Sequence, residues 1–240
     1  MTTYEYEYPK ADHTTDAVVF GLDMNAGYGR LVILLIRRGR EGEPFYDHWA
    51  LPGGFLEIEK DDDLEECCRR ELEEETGVRL SYLEQLATFG KKGRDPRGRV
   101  ISTAYLGLVR PEDVTVKADD DAKEATWWAI DQLPPLAFDH AEIIATGLQR
   151  LKSKLPWQPV GIDLLPETFT LRELQTVYET ILGRPIDKRN FYRRVLKMDG
   201  PLDETPERRT PEGGGPPAKL YRFNREVYER LQQEGYDFEL

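Results

Sequence analysis

The sequence predicts two domains, an α/β (α+β) sandwich over residues 1–157 and a winged helix-turn-helix over 158–240. Three observations predict this. Val- and Ile-rich runs mix with two helical patterns over the first 155 residues. A Pro-rich connection, "PWQPVGIDLLPE" (156–167), then breaks the pattern. Behind it come a helix, a tight turn, a second helix, a glycine-rich loop and a strand, the order of a winged helix.

In chain order, "TDAVVFGLDM" (15–24) and "RLVILLIRRG" (30–39) read as strands split by the turn "NAGYG". "EGEPFYDHWALPGG" is loop. A helix spans about Asp62 to Thr76, with Leu64, Cys67, Cys68, Leu72 and Thr76 on its buried side and Gly77 as C-cap. "VRLSYLEQLATFG", "RVISTAYLGLVR" and "EATWWAI" (124–130) are strand-like. On the last of these Trp127 and Trp128 face opposite ways, one to the core and the other open to stacking on adenine. "DHAEIIATGLQRLKSKL" (139–155) is a helix burying Ile143, Ile144, Leu148 and Leu151.

Past the connection, "TFTLRELQTVYETILG" opens on a capping box, Thr170 with Glu173, and buries Leu171, Leu174, Val177, Tyr178 and Ile181. "DKRNFYRRVLKM" (187–198) starts at Asp187 and turns Phe191, Val195 and Met198 inward. "DETPERRTPEGGGPPAKLYRF" is hairpin-like, and "NREVYERLQQEG" a short final helix.

The net charge of −12 argues against a surface coated throughout for nucleic acid, but not against a local basic face. Cys67 and Cys68 are adjacent, which suits neither a disulfide nor zinc and implies a reducing compartment. "MTTYEYEYPK" lacks the basic flank and apolar core of a signal peptide, and no run is apolar enough to span a membrane. A cytoplasmic location is expected, without a membrane partner.

Charge is distributed unevenly. Residues 49–77 hold eleven carboxylates and three basic residues. Glu71, Glu74 and Glu75 project from one helix face, where like charges repel. That face is either a solvated acidic surface or a site for a hard divalent cation, with Arg70 holding a carboxylate in place. Lys91, Lys92, Arg94, Arg97 and Arg99 make a positive loop, suited to phosphate or ribose contact or to ion pairing with the acidic helix. Asp139 and His140 sit at a helix start, where His140 caps, packs or touches a ligand. Asp119, Asp120, Asp121 and Glu124, before the Trp-Trp strand, are candidates for a general base or for a plain polar turn. Between Arg184 and Arg225 eleven Lys or Arg face six acids, a balance of +5 in an acidic chain. On the second helix there, Lys188, Arg189 and Asn190 suit base edges, and Tyr192, Arg193 and Arg194 suit the DNA backbone. Arg208, Arg209, Lys219 and the Gly213–Gly215 loop suit a wing against phosphates. The competing reading is a dimerisation or interaction module.

"LPGG" followed by "RELEEETG" resembles the Nudix box, signature of hydrolases of nucleoside diphosphates linked to another group. Arg70, Glu71, Leu72, Glu74, Glu75, Gly77 and Val78 match its second half in register. Its first half departs: Asp62 takes the place of the first glutamate, in a loop two residues longer than the box's. The resemblance implies Glu71, Glu74 and Glu75 as ligands of Mg (or Mn), with Arg70 orienting them. "TTDAVVFG", "HWALPGGF", "GRDPRGRVISTAYLGLV" and "LAFDHAEII" resemble the ADP-ribose branch, and add Phe55, Arg94, Arg97, Arg99 and His140 as ligand contacts. With "LLPETFTLRELQTVYETILGRPIDKRNFYRRVLKM" and "AKLYRF", residues 12 to 230 resemble the Nudix-related transcriptional regulators. Those imply a homodimer on double-stranded operator DNA, an ADP-ribose or related effector, and control of NAD or sugar metabolism. The alternative is an ADP-ribose pyrophosphatase releasing AMP and ribose 5-phosphate; a third class is a pure interaction scaffold.

Overall fold

The computed structural model describes residues 7–24, 29–117, 122–197, 200–211 and 214–234. It divides into two compact units. One runs to Gly21 and resumes over Val32–Gly147; the other joins Leu22–Leu31 to the chain from Leu148 onward.

The first unit is built on β1 (Asp12–Asp23) and β2 (Arg30–Arg38). Their apolar runs are buried on both faces, from Ala17 to Phe20 and from Leu31 to Ile36, as strands between two covering layers must be. β3 (Trp49–Ala50) and β6 (Ala122–Ala129) pair antiparallel with β2. On the other side β5 (Val100–Leu108) runs parallel to β1, Asp12 opposite Val100 through Phe20 opposite Leu108, and β4 (Leu83–Phe89) closes that edge antiparallel. The sheet order is β3-β2-β1-β5-β4, with β6 on β2.

A helix covers each face. α1 (Leu64–Thr76) packs Cys68 and Leu72 on Ala17, Val19 and Leu34. Asp63 caps its start by accepting the Glu66 N–H, and Gly77, left-handed at φ 70°, ends it. α2 (His140–Lys154) lies on the opposite face, where Gly147 sits so close that a Cβ would come within 2.8 Å of Val18. Trp127 packs on the α1-side core, while Trp128 meets Trp49 edge to face at 5.2 Å.

In the second unit α3 (Leu171–Leu182) opens on the expected capping box, with Thr170 and Glu173 bonded reciprocally. Its apolar face, Leu171, Leu174, Val177, Tyr178 and Ile181, is buried. α4 (Lys188–Lys197) turns Phe191 and Val195 inward; Met198 lies outside the described residues. β7 (Leu202–Arg209) and β8 (Ala218–Phe223) pair antiparallel. Phe169 exchanges both backbone hydrogen bonds with Tyr221 on β8, and α5 (Arg225–Gln233) follows behind an Asn224 cap. Among the described residues no helix is long and apolar enough to cross a membrane.

Candidate functional site

The Leu51–Phe55 turn brings the acidic face of α1 to the sheet. Ala17 N–H donates to the Pro52 carbonyl at 2.8 Å and Thr15 N–H to that of Gly54 at 2.9 Å, so the turn lies along β1. A Cβ on Gly53 would stand 2.0 Å from the Thr15 carbonyl oxygen, and one on Gly54 2.4 Å from the Glu71 carboxyl. Only glycine lets backbone and carboxylate approach this closely. Glu75 accepts the Gly53 N–H at 2.8 Å, locking helix to turn.

Arg70 is the hub. It forks onto Asp61 with two bonds of 2.8 Å and reaches Glu71 at 2.8 Å, Glu74 at 3.0 Å and the Phe55 carbonyl at 3.2 Å. Arg70 thus holds two of the three carboxylates on this face of α1. The box's first acid does not stand where the sequence placed it. Asp61 is turned in and buried against Arg70, whereas Asp62 is exposed and its N–H goes to Glu66. The two extra residues between Gly54 and Arg70 thus fall one on each side of Asp61. Arg70 draws the Asp61 carboxyl down to about 2, while burial pushes Glu71 above the usual carboxylate range.

The Asp61 shift has a testable consequence. A carboxyl depressed in the fold adds stability that is complete above the ordinary carboxylate range and lost as pH falls from about 4 through about 2. Asp61→Asn should cost about 2–3 kcal/mol at neutral pH and about half as much at pH 3. Urea midpoints of both proteins at the two pH values measure this; a variant deficit unchanged between them refutes it.

The facing wall holds the positive loop. Arg94 is nearly fully buried and forks onto Asp139 at 2.9 and 2.7 Å, with Asp16 at 3.5 Å. Asp16 also accepts the Ser102 hydroxyl. His140 Nδ1 accepts the Leu51 N–H at 2.8 Å, so the proton sits on Nε2, 3.4 Å from Asp16. Burial lowers the His140 pKa. His140 thus both packs and lines the cavity. Arg97 pairs with Asp95 at 2.7 Å and lies 5.0 Å over the Phe55 ring and 5.5 Å over that of Phe138. Arg38 covers Phe138 at 5.0 Å. The ion-pair partners of Arg94 and Arg97 are aspartates of the strands and loops, and Glu43 lies 4.0 Å from Arg97.

These walls enclose a cavity of about 680 Å³, carboxylates of α1 on one side and arginines on the other. Phe55, Arg94, Arg97 and His140 line it with Glu71, Glu74 and Glu75. Arg99 instead donates to the Gly90 carbonyl, and neither Trp127 nor Trp128 is among the lining. Glu124 stands 3.9 Å from Arg37, away from the cavity, and 118–121 lie outside the described residues. The sequence reading missed Asp16, Arg38 and Phe138. Asp16 carried a signal, a charge directly before the apolar run Ala17–Phe20; Phe138, at φ 50°, carried none. Among the described residues no three carboxylate, imidazole or thiolate groups converge as metal ligands.

On α4, Lys188, Arg189, Asn190, Arg193 and Arg194 are exposed along one helix, with Tyr192 partly covered 5.5 Å from the Lys188 ammonium. The wing residues are tied down. Arg209 reaches Glu173 on α3 at 2.7 Å and the Thr168 carbonyl. Lys219 and Arg208 both pair with Glu204, at 2.8 and 3.0 Å. Gly214 and Gly215 have positive φ, and Gly213 lies outside the described residues.

Two family models match the chain, a NUDIX domain over residues 13–147 and an NrtR DNA-binding winged helix domain over 161–223. An ADPR responsive transcriptional repressor of Acinetobacter baylyi is 36% identical over 225 residues, 93% of this chain and 86% of that protein. The ADP-ribose pyrophosphatase of Methanocaldococcus jannaschii is 44% identical over 113 residues, 47% of this chain and 63% of its own. Shewanella oneidensis NrtR, solved with a 27mer DNA, superposes with a TM-score of 0.75 at 35% identity, over 94% of this chain and 96% of that one. Its NUDIX domain alone, solved with ADP ribose, aligns with 62% of this chain and 94% of that one at 32% identity and TM-score 0.56. With both domains matched in order and the likeness sustained over nearly its whole described length, the chain belongs to the NrtR-like family of Nudix regulators, a Nudix domain followed by a DNA-binding winged helix.

Proposed function

We propose that this chain is a DNA-binding transcriptional regulator whose Nudix cavity takes ADP-ribose or a closely related nucleotide. One observation carries the reading: a single chain joins a carboxylate-and-arginine cavity of nucleotide size to a helix with five exposed basic or amide side chains. The Shewanella complexes with DNA and with ADP ribose support both halves. Arg97, stacked on Phe55 and Phe138, is placed to meet a diphosphate or ribose. α4 is the reading helix, its first residues toward base edges and Arg193 and Arg194 toward phosphates. A single small reader binds weakly, so a homodimer on a palindromic site belongs to the proposal.

Mg²⁺ or Mn²⁺ is part of the proposal as the ion of the acidic face. The donor chemistry suits it, hard oxygens only from Glu71, Glu74 and Glu75, but the three do not converge as they stand, and half-exposed Glu74 would have to leave Arg70 to join them. Bound there, the ion would shield the pyrophosphate's charge and polarise its oxygens. The intact "RELEEETG" and the Methanocaldococcus relative favour a second reading beside the first, that the cavity also hydrolyses its ligand.

Purified protein screened against genomic fragments should select one class, with affinity falling steeply with salt as phosphate contacts release counterions. Arg193→Ala should weaken all sequences about equally. Substitution of Lys188, Arg189 or Asn190 should relax sequence preference by ~1–3 kcal/mol per lost base contact. Equal binding to every fragment at every salt concentration sinks the regulator reading.

A further inference from the structure

A second cavity lies within the winged-helix unit, beneath the first half of α4 at the C-terminal end of α3. Its volume is about 250 Å³, too small for a nucleotide and right for a ring bearing one small substituent. Tyr178, Leu182, Ile186 and Phe191 give it an apolar wall, with the Tyr178 and Phe191 rings tilted at 5.4 Å. Two arginines, Arg184 and Arg194, complete the lining. Neither makes an ion pair or hydrogen bond among the described residues, whereas Arg70, Arg94, Arg97, Arg208 and Arg209 each hold a carboxylate. The nearby acid, Asp187, is engaged with the Asn190 N–H at 2.8 Å, capping α4. Tyr178 is fully buried, and its hydroxyl has no hydrogen-bond partner, although buried polar groups are ordinarily paired.

We propose that this cavity binds a small aromatic monocarboxylate, its ring packed against the Tyr178–Phe191 pair and its carboxylate on Arg184 and Arg194. A planar carboxylate matches the guanidinium fork, and the apolar aromatic wall selects a ring over inorganic phosphate. Asn190, Phe191 and Arg194 belong to α4, so an occupant sits directly under the helix proposed to read DNA.

The test uses the full chain and 4-fluorobenzoate as probe, read by fluorine line broadening. Binding of a fragment this size falls in the millimolar range. The neutral isostere 4-fluorobenzamide should bind at least about tenfold more weakly. The double variant Arg184→Gln with Arg194→Gln should lose at least about tenfold in affinity for the acid and little for the amide. Both side chains are exposed, so the variant keeps its fold, which circular dichroism checks. Broadening unchanged in the double variant, equal broadening of acid and amide, or none up to about 10 mM ligand each overturns the site.

Discussion

With Mg²⁺ or Mn²⁺ present, the protein should split ADP-ribose into AMP and ribose 5-phosphate, and chelator should abolish the product. Changing Glu74→Gln and Glu75→Gln together should lower the rate at least roughly a hundredfold, since groups that merely orient metal ligands already cost 10–100-fold. The change removes two carboxylates and leaves the scaffold. In Glu75→Gln the side-chain amide retains an oxygen able to accept the Gly53 N–H, so the turn stays along β1. Arg70 retains its fork on buried Asp61, the contact that holds loop to helix. Two fewer like charges on one face also relieve repulsion, so thermal stability should hold or rise slightly. The measurement is AMP release by chromatography at high enzyme concentration, with melting curves of both proteins. No AMP above buffer from the unmodified chain eliminates hydrolysis and leaves nucleotide binding untouched. Equal turnover by the variant removes Glu74 and Glu75 from the metal site.

What could be read from the residues divides along contact range. The α1 face, the Gly77 cap and the Thr170–Glu173 box are set by neighbours three or four positions apart, and all three appear as expected. The run Asp61-Asp62-Asp63 shows where local reading stops. Three identical side chains take three roles: Asp61 pairs with Arg70, Asp62 faces solvent and Asp63 caps α1. Only the path of the preceding loop decides which one turns inward, and spacing counted back from Arg70 points to Asp62 instead. Arginine partners were equally hidden. Arg94 meets Asp139 across 45 residues and Arg209 meets Glu173 across 36, so a positive loop and a basic wing seen in sequence are partly neutralised in the fold. Exposed Lys188, Arg189, Arg193 and Arg194 on α4 escape this because their helix has only its Phe191 side packed.

ADP-ribose affinity should change when operator DNA is bound, and DNA affinity should change by the same factor when ADP-ribose is bound. The equality is thermodynamic: a ligand shifts DNA binding only by its differential affinity for the free and DNA-bound shapes, and the cycle closes. Regulatory couplings of this kind run to roughly 5–150-fold, about 1–3 kcal/mol. The cavity has the means to be state-dependent. Cavity-lining Arg97 sits on two aromatic rings, and Phe138 holds a left-handed backbone, a conformation costing of order 1–3 kcal/mol that the surroundings must maintain. Calorimetric titration of ADP-ribose with and without operator duplex measures the factor, using the Glu74→Gln with Glu75→Gln protein so that ligand is not consumed. The reverse titration, DNA with and without saturating ADP-ribose, must return the same ratio. Arg193→Ala should lower DNA affinity in both arms and leave the ratio unchanged, because a phosphate contact adds to both states alike. Equal ADP-ribose affinities with and without operator would exclude sensing through this cavity. The winged helix would then still bind DNA, but as an activity uncoupled from the acidic face of α1.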